Sequence, residues 1–159
     1  AYHIIGGGEE GDKTAIRTKE EADHSLPYLV AVALLDGQVM PEQYRPERIV
    51  RHDVQALLRN VVVRPSEDYS RGFPQLMPCR VVIVLNDGRV LVREKADYEG
   101  FHTRPMQWET AVAKFERLCV PYTDAGLRRE IVEATAALDG MRVADLVRLL
   151  ARVAASARG

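Results

Sequence analysis

An apolar run over residues 25–35, SLPYLVAVALL, constrains the fold most, because it lies between two clear boundary signals. Ser25 is a typical helix N-cap, Pro27 suits the first helical turn, and Gly37 just beyond the run is a typical C-terminal stop. The run is apolar on every side, which is typical of a short helix buried all round. A β-strand is the alternative because valine is β-branched, but the capping pattern favours a helix.

The composition is that of an ordinary globular protein, with 159 residues of which 47% are hydrophobic and 28% are charged. Lys and Arg total 22, Asp and Glu total 23, and the net charge of -1 is too small to indicate binding to nucleic acid or an anionic membrane. The longest apolar stretch, residues 29–35, is far shorter than the roughly 20 residues that cross a bilayer. We therefore expect neither a nucleic-acid partner nor a membrane partner.

Cysteine and histidine spacing argues against a metal centre. Cys79 and Cys119 are isolated, which excludes a disulfide scaffold or a CxxC site and indicates a reducing, cytoplasmic compartment. The four histidines have neither an i, i+4 pair nor HExxH spacing. We expect no metal and no other cofactor.

A hairpin is the clearest local prediction. Residues 79–85 and 89–93 are rich in β-formers, and the Asn-Asp-Gly turn at residues 86–88 joins them as antiparallel strands. Upstream, residues 46–49 and 53–58 predict a second short helix, which leads into a strand at residues 61–63.

The two ends of the chain differ in pattern. Residues 1–5 resemble the end of a strand. Residues 6–21 are rich in glycine and charge, which predicts an exposed connector or a loop that a partner orders. From Trp108 onward the pattern is helical, and three apolar faces are predicted. Their members are Trp108, Val112, Phe115 and Cys119; then Ile131, Ala134 and Leu138; then Val143, Leu146, Leu149, Leu150 and Val153.

Four arginines lie opposite the last apolar stripe: Arg142, Arg148, Arg152 and Arg158. A solvated helix face is the ordinary interpretation, and a groove for an anionic partner is the alternative.

These elements predict an α+β fold, in which a two-layer α/β sandwich with an antiparallel hairpin is followed by C-terminal helices. We expect three parts. They are an N-terminal arm over residues 1–21, a sandwich domain over residues 22–120, and C-terminal helices over residues 121–159.

Three local patterns are candidates for a functional site. In residues 6–14, Asp12 interrupts the spacing of a phosphate loop, and the acidic side chains there would repel phosphate. Asp23, His24 and Ser25 contain the residue types of a hydrolase triad, but consecutive residues cannot adopt its geometry. The polar loop over residues 100–106 is either ordinary surface or substrate-facing.

Residues 22–37, ADHSLPYLVAVALLDG, closely resemble the stretch that enters the C-terminal domain of the MmgE/PrpD family. This family includes 2-methylcitrate dehydratase, cis-aconitate decarboxylase and iminodisuccinate epimerase. The resemblance covers about residues 2–153. It also includes residues 46–49, 53–58, 86–89, 100–108 and 113–115.

The resemblance implies a lid domain, which in this family follows an N-terminal helical domain and precedes helices that return to it. It also implies lyase chemistry on tricarboxylates without a metal, in which an acid or base removes a proton next to a carboxylate. Most of the family's catalytic residues lie in the helical domain or at the very start of the lid. We therefore expect a 2-methylcitrate-dehydratase-like protein whose isolated lid is inactive, with a stand-alone, non-catalytic binding module as the alternative.

The resemblance also implies substrate-binding residues and no catalytic residue within the chain. His24 and Ser25 match a His-Ser pair of the family, Arg17 lies just upstream, and Tyr2 lies near the position of a lid tyrosine. The family loop often reads Gly-His-Pro, whereas Phe101 precedes His102 here. The expected partners are a tricarboxylate-like molecule and the helical domain. A second copy is also expected, because the apolar stripes of the last helices need a cover.

Overall fold

The computed structural model describes residues 2–7 and 11–156, and the chain divides into two compact units, Ala1–Gln75 and Leu76–Gly159. The protein is 53% helical, with one antiparallel sheet of two strands among the described residues. The predicted α+β class, with a hairpin followed by C-terminal helices, is confirmed. The division into three parts stays a prediction.

The first unit is helical throughout. It contains a π-helical turn Tyr2–Gly6, α1 (Lys19–Asp23), α2 (Leu26–Asp36), a 3-10 turn Pro41–Tyr44, α3 (Pro46–Ile49), α4 (His52–Leu58) and α5 (Glu67–Arg71).

Helix α2 begins and ends where the sequence predicts. The Ser25 hydroxyl oxygen accepts a hydrogen bond from the Tyr28 N–H at 3.0 Å, and Gly37 ends the helix with φ 68°, a left-handed conformation that suits glycine. The prediction that this helix is buried all round is wrong, since Leu34 and Leu35 are 49% and 41% exposed. Only one side of α2 packs into the core.

The core of the first unit lies between α2 and α4, which pack against each other. Eight fully or almost fully buried side chains form it: Ile16, Ala22, Tyr28, Ala31, Val32, Ile49, Val54 and Leu58. Its member Ile16 shows that the predicted exposed connector is wrong at this position, whereas residues 17–21 are exposed.

The reason for that error is a capping box. The Thr18 hydroxyl accepts from the Glu21 N–H at 3.3 Å, and the Glu21 carboxylate accepts from the Thr18 N–H at 2.9 Å. This reciprocal pair starts α1 and turns Ile16 inward, where it is 2% exposed. The Thr-x-x-Glu spacing was the signal that could have revealed it.

Both predicted strands of the first unit are wrong. Residues 2–6 form a helical turn, and Ala1 lies outside the described residues. Residues 61–63 form no strand, because the Val61 N–H donates to the Leu58 carbonyl at 3.2 Å and extends the end of α4. Helix α5, capped by Ser66, was not predicted.

The second unit contains the hairpin and the last helices. Strands β1 (Cys79–Val84) and β2 (Val90–Lys95) pair antiparallel, with Val82 opposite Val92. Gly88 has φ 85° in the connecting turn, which explains why the Asp-Gly signal was reliable. The helices are α6 (Trp108–Cys119), α7 (Ala125–Ala136) and α8 (Val143–Ser156), as predicted, with a 3-10 turn Leu138–Gly140.

The structure differs from the C-terminal prediction in two details. Leu138 lies beyond the end of α7, in the 3-10 turn. Of the four arginines, Arg142 and Arg148 pair with Asp145, Arg152 pairs with Glu130, and Arg158 lies outside the described residues. The first three arginines are therefore exposed and ion-paired.

Replacing Leu58 by Ala should lower the free energy of unfolding by about 2–5 kcal/mol, because the side chain is fully buried and its loss leaves a cavity. The matched control is Leu34→Ala in α2, where the side chain is half exposed, and here a change within about 0.5 kcal/mol is expected. Urea unfolding followed by circular dichroism measures both. Equal losses would contradict the assignment of the core.

Candidate functional site

The predicted substrate-binding residues divide between the two units. Tyr2, Arg17, His24 and Ser25 belong to the first unit, and His102 belongs to the second. The structure brings His24 and Ser25 together between α1 and α2.

Ser25 is fully buried, and its hydroxyl has two roles. Besides accepting from the Tyr28 N–H, it donates a hydrogen bond to the Lys13 carbonyl oxygen at 2.5 Å. A buried hydroxyl that donates one hydrogen bond and accepts another is satisfied within the fold. Ser25 thus joins the N-terminal segment to α2, and its role in substrate binding stays a prediction.

His24 is the C-cap of α1 and is exposed. Its Nδ1 lies 3.0 Å from the Glu20 carbonyl oxygen, which can only accept a hydrogen bond. Nδ1 therefore carries the proton in the neutral ring, and this assignment leaves Nε2 as an acceptor. A protonated ring would offer Nε2–H to a carboxylate instead.

Arg17 and Tyr2 have different surroundings. Arg17 is exposed, and its backbone N–H donates to the Glu21 carboxylate at 2.7 Å, just before α1. Tyr2 is half-buried, in a turn that lies against α2, and its ring contacts the His3 ring edge-on at 5.7 Å. A Cβ at Gly6 would lie 2.8 Å from the Tyr2 ring, so glycine is needed there.

His102 lies on the loop between β2 and α6, and it is exposed. The loop is held by Asp97, whose carboxylate accepts from the Thr103 hydroxyl at 2.7 Å and pairs with Arg104 at 3.5 Å. Phe101, the residue that departs from the family pattern, packs its ring 4.3 Å from the His102 ring. The extra residue therefore restricts the imidazole from one side.

The strongest polar cluster of the first unit was missed by the sequence analysis. Arg48, whose side chain is 11% exposed, pairs with both oxygens of Asp36 at 2.6 and 3.0 Å and with Asp53 at 3.1 Å. The Gln43 amide donates to Asp36 at 2.9 Å. The cluster joins the end of α2 to α3 and α4, and only the tertiary fold brings its members together.

This cluster stabilises the fold rather than binding a ligand. Hydrogen bonds from Arg48 hold the pKa of the Asp36 carboxyl below its ordinary value. The guanidinium is itself occupied by two carboxylates, so it offers no free cation to an anionic substrate.

The resolved pKa shifts all move away from neutrality. Burial raises the pKa of the Tyr28 hydroxyl to about 12. Hydrogen bonds from Thr14 and from the backbone of Arg89 lower the pKa values of Asp12 and Asp87 respectively. Carboxylates stay ionised and phenols stay protonated, whereas general acid–base catalysts are tuned towards neutral pH.

No group of three or more His, Cys, Asp or Glu side chains with the arrangement of a metal site occurs among the described residues. Every described helix is too short or too polar to cross a bilayer.

An apolar cleft lies between α6 and α7 of the second unit, with a volume of about 190 Å³. Its lining includes Trp108, Phe115 and Ile131, together with Thr135, whose hydroxyl donates to the Ile131 carbonyl at 2.7 Å. Because this hydroxyl is used within the helix, the cleft offers little for a polar ligand.

Comparison with known proteins identifies this small α+β chain. Residues 1–139 match the MmgE/PrpD C-terminal domain, and the chain belongs to that family. Cis-aconitate decarboxylase of Mus musculus is 28% identical over 98 residues, which are 62% of this chain and 20% of that protein. The Homo sapiens protein of the same name is 26% identical over 98 residues, with the same shares. The match thus spans about a fifth of the length of these curated relatives.

Ser25→Ala should lower the free energy of unfolding by about 1–3 kcal/mol, because it removes the cap of α2 and leaves a buried carbonyl without its donor. Tryptic cleavage after Lys13 should become faster as the segment loses its attachment. The control is Ser66→Ala, which removes only the cap of α5 and should cost about 1 kcal/mol or less. Equal effects on stability and cleavage would contradict the attachment role.

Asp36→Asn should lower the free energy of unfolding by about 1–3 kcal/mol at neutral pH, because an ionic hydrogen-bond partner of Arg48 is lost. Since the pKa of Asp36 is lowered in the folded state, its contribution is complete above the unfolded value of about 4 and disappears as the pH falls through the folded value. The difference between wild type and variant should therefore vanish in acid.

Circular dichroism during urea unfolding at several pH values measures this difference. The control is Asp68→Asn, which breaks an exposed pair with Arg71 and should change stability by less than about 0.5 kcal/mol. A difference for Asp36→Asn that stays constant down to strongly acid pH would show that the ion pair contributes nothing.

Proposed function

We propose that this chain is the lid of an MmgE/PrpD lyase that acts on a tricarboxylate, and that turnover requires the family's helical domain in cis or in trans. The observation that carries the proposal is the match of residues 1–139 to the family's C-terminal domain. The curated relatives, named cis-aconitate decarboxylase, support a substrate of the tricarboxylate class.

The electrostatics support the dependence on a second domain. Removal of a proton next to a carboxylate needs a base whose pKa lies near neutral pH. The resolved shifts in this chain keep carboxylates ionised by hydrogen bonds and keep the buried phenol protonated. A lid of this kind would bind, orient and cover the substrate, while the helical domain handles the proton.

Two residues have the chemistry for binding a carboxylate in this role. Arg17 and His24 lie before and after α1, both exposed, and each can donate hydrogen bonds to an anion. His24 would do so in its protonated form through Nε2, with Nδ1 held by the Glu20 carbonyl. Ser25 would position His24 by fixing the start of α2.

Two reactions fit a tricarboxylate lyase. In a 2-methylcitrate-type dehydration, a base takes the proton next to a carboxylate, the hydroxyl leaves as water after protonation, and a C=C bond forms. In a cis-aconitate-type decarboxylation, a C–C bond breaks, carbon dioxide leaves, and the carbanion takes a proton. Both are served by cations that hold the remaining carboxylates.

We also propose a reducing, cytoplasmic compartment for the protein. Cys79 and Cys119 are free thiols in the structure, and Cys79 is exposed. Free exposed thiols persist in reducing compartments.

The purified chain alone should not turn over 2-methylcitrate or cis-aconitate, and addition of a family helical domain should restore activity. Alkene absorbance follows the dehydration, and carbon dioxide release follows the decarboxylation. Rapid turnover by this polypeptide alone would refute the dependence. Tight binding of tricarboxylate without turnover in any mixture would favour a stand-alone binding module.

In the reconstituted enzyme, His24→Ala should lower kcat/KM by about 10- to 100-fold, because a hydrogen bond to a charged group is lost. The control is His52→Ala, an exposed histidine at the start of α4, which should leave kcat/KM unchanged. Identical kinetics for the two variants would remove His24 from the site.

A further inference from the structure

We propose that Gln55 of α4 is a positioning residue for substrate binding: its side-chain amide holds the backbone that carries Arg17, so that the guanidinium meets a substrate carboxylate in a fixed orientation. The inference deepens the proposed function and rests on it. It starts from a contact that crosses the first unit, because Gln55 lies 39 residues beyond Ile16 in the chain and donates to its carbonyl.

The side-chain nitrogen of Gln55 donates two hydrogen bonds. One goes to the Ile16 carbonyl oxygen at 2.8 Å, and the other goes to the Ile49 carbonyl oxygen at the end of α3, also at 2.8 Å. Carbonyl oxygens only accept, so the nitrogen rather than the oxygen of the amide must face them. Both N–H groups of the amide are therefore used, and Gln55 joins α4 to the end of α3 and to the segment before α1.

The peptide group between Ile16 and Arg17 is held on both sides. Its carbonyl accepts from Gln55, and its N–H, which belongs to Arg17, donates to the Glu21 carboxylate at 2.7 Å. The Glu21 contact is local, whereas the Gln55 contact comes from a separate helix. A planar peptide group with both polar atoms engaged cannot turn without breaking a hydrogen bond, so the backbone direction at Arg17 is fixed.

Glu21 and Ile16 keep this arrangement in place at neutral pH. Hydrogen bonds from the backbone N–H groups of Arg17 and Thr18 hold the pKa of the Glu21 carboxyl below its ordinary value, so the group stays an ionised acceptor. The Ile16 side chain is buried in the core, whereas the Arg17 side chain is exposed. The segment thus combines a fixed backbone with a cation that a ligand can reach.

A fixed backbone matters for an arginine that binds a carboxylate. The guanidinium forms two parallel hydrogen bonds to a carboxylate only in a defined orientation. Ordering a free segment at the moment of binding would weaken the affinity, and a segment that is ordered in advance avoids this loss. Gln55 supplies the order without contacting the ligand, so its effect on binding passes through Arg17.

Amide hydrogen exchange of the full chain tests whether Gln55 orders the segment. Gln55→Met keeps a side chain of similar length but cannot donate, and it should speed exchange of the Arg17 N–H about 10-fold. The matched control is Gln43→Met, which removes another buried amide of the first unit, one that donates to Asp36. This control should leave the Arg17 exchange rate within about 2-fold of wild type. Unchanged exchange in Gln55→Met would overturn the proposal.

A double-mutant cycle tests whether Gln55 acts through Arg17 in the enzyme reconstituted with a family helical domain. With cis-aconitate as the substrate, Gln55→Met should raise KM about 3- to 10-fold and leave kcat within about 2-fold, because substrate and transition state lose the same contact. In an Arg17→Ala background the same substitution should have no further effect on KM. An undiminished effect in that background would show a general structural role and refute positioning.

A second variant covers the case in which Gln55→Met does not fold, as judged by circular dichroism. Gln55→Asn retains an amide that is one methylene shorter, and it should change exchange and KM in the same direction by smaller factors. If no mixture turns over cis-aconitate or 2-methylcitrate, the proposed function fails, and the positioning role fails with it even where exchange at Arg17 is faster. If the mixture is active but exchange and KM stay at wild-type values, only the positioning role is refuted.

Discussion

The buried hydroxyl of Ser25 is the interaction on which the first unit most depends. The hydroxyl donates a hydrogen bond to the Lys13 carbonyl and accepts one from the Tyr28 N–H at the start of α2. One side chain therefore holds the N-terminal segment against α2. His24 lies directly before it and inherits its position. The fixed start of α2 therefore positions His24, which is a candidate for ligand binding.

Several charged residues of the described structure pair with one another and so stabilise the fold. Arg48 is occupied by Asp36 and Asp53, and the arginines of α8 pair with neighbouring acids. Such pairs move carboxylate pKa values away from neutrality, the opposite of what proton transfer requires. Arg17 and His24, which are exposed, stand out against these pairs as the candidates for the proposed binding.

Local signals were predictable from the sequence, and non-local pairings were not. The caps of α2 and the Asp-Gly turn of the hairpin lie within a few residues of what they determine, and both predictions are confirmed. The run at residues 61–63 has β-branched side chains, but a strand needs a ladder partner that no local pattern can guarantee.

The capping box at Thr18 could have been predicted from the Thr-x-x-Glu spacing and was missed. The cluster around Arg48 joins residues far apart in the chain, so the fold alone could reveal it. The substrate-binding residues remain predictions because no ligand contact defines them.

Trp108 is the only tryptophan of the sequence, and it lies at the start of α6 on the cleft that α6 forms with α7. Its indole is 45% exposed, so its emission senses both the cleft and the solvent. Indole fluorescence therefore reports on the second unit, while the first unit, which has tyrosines but no tryptophan, is silent at the same wavelength. The chain carries a natural spectroscopic label that can separate the melting of its two halves.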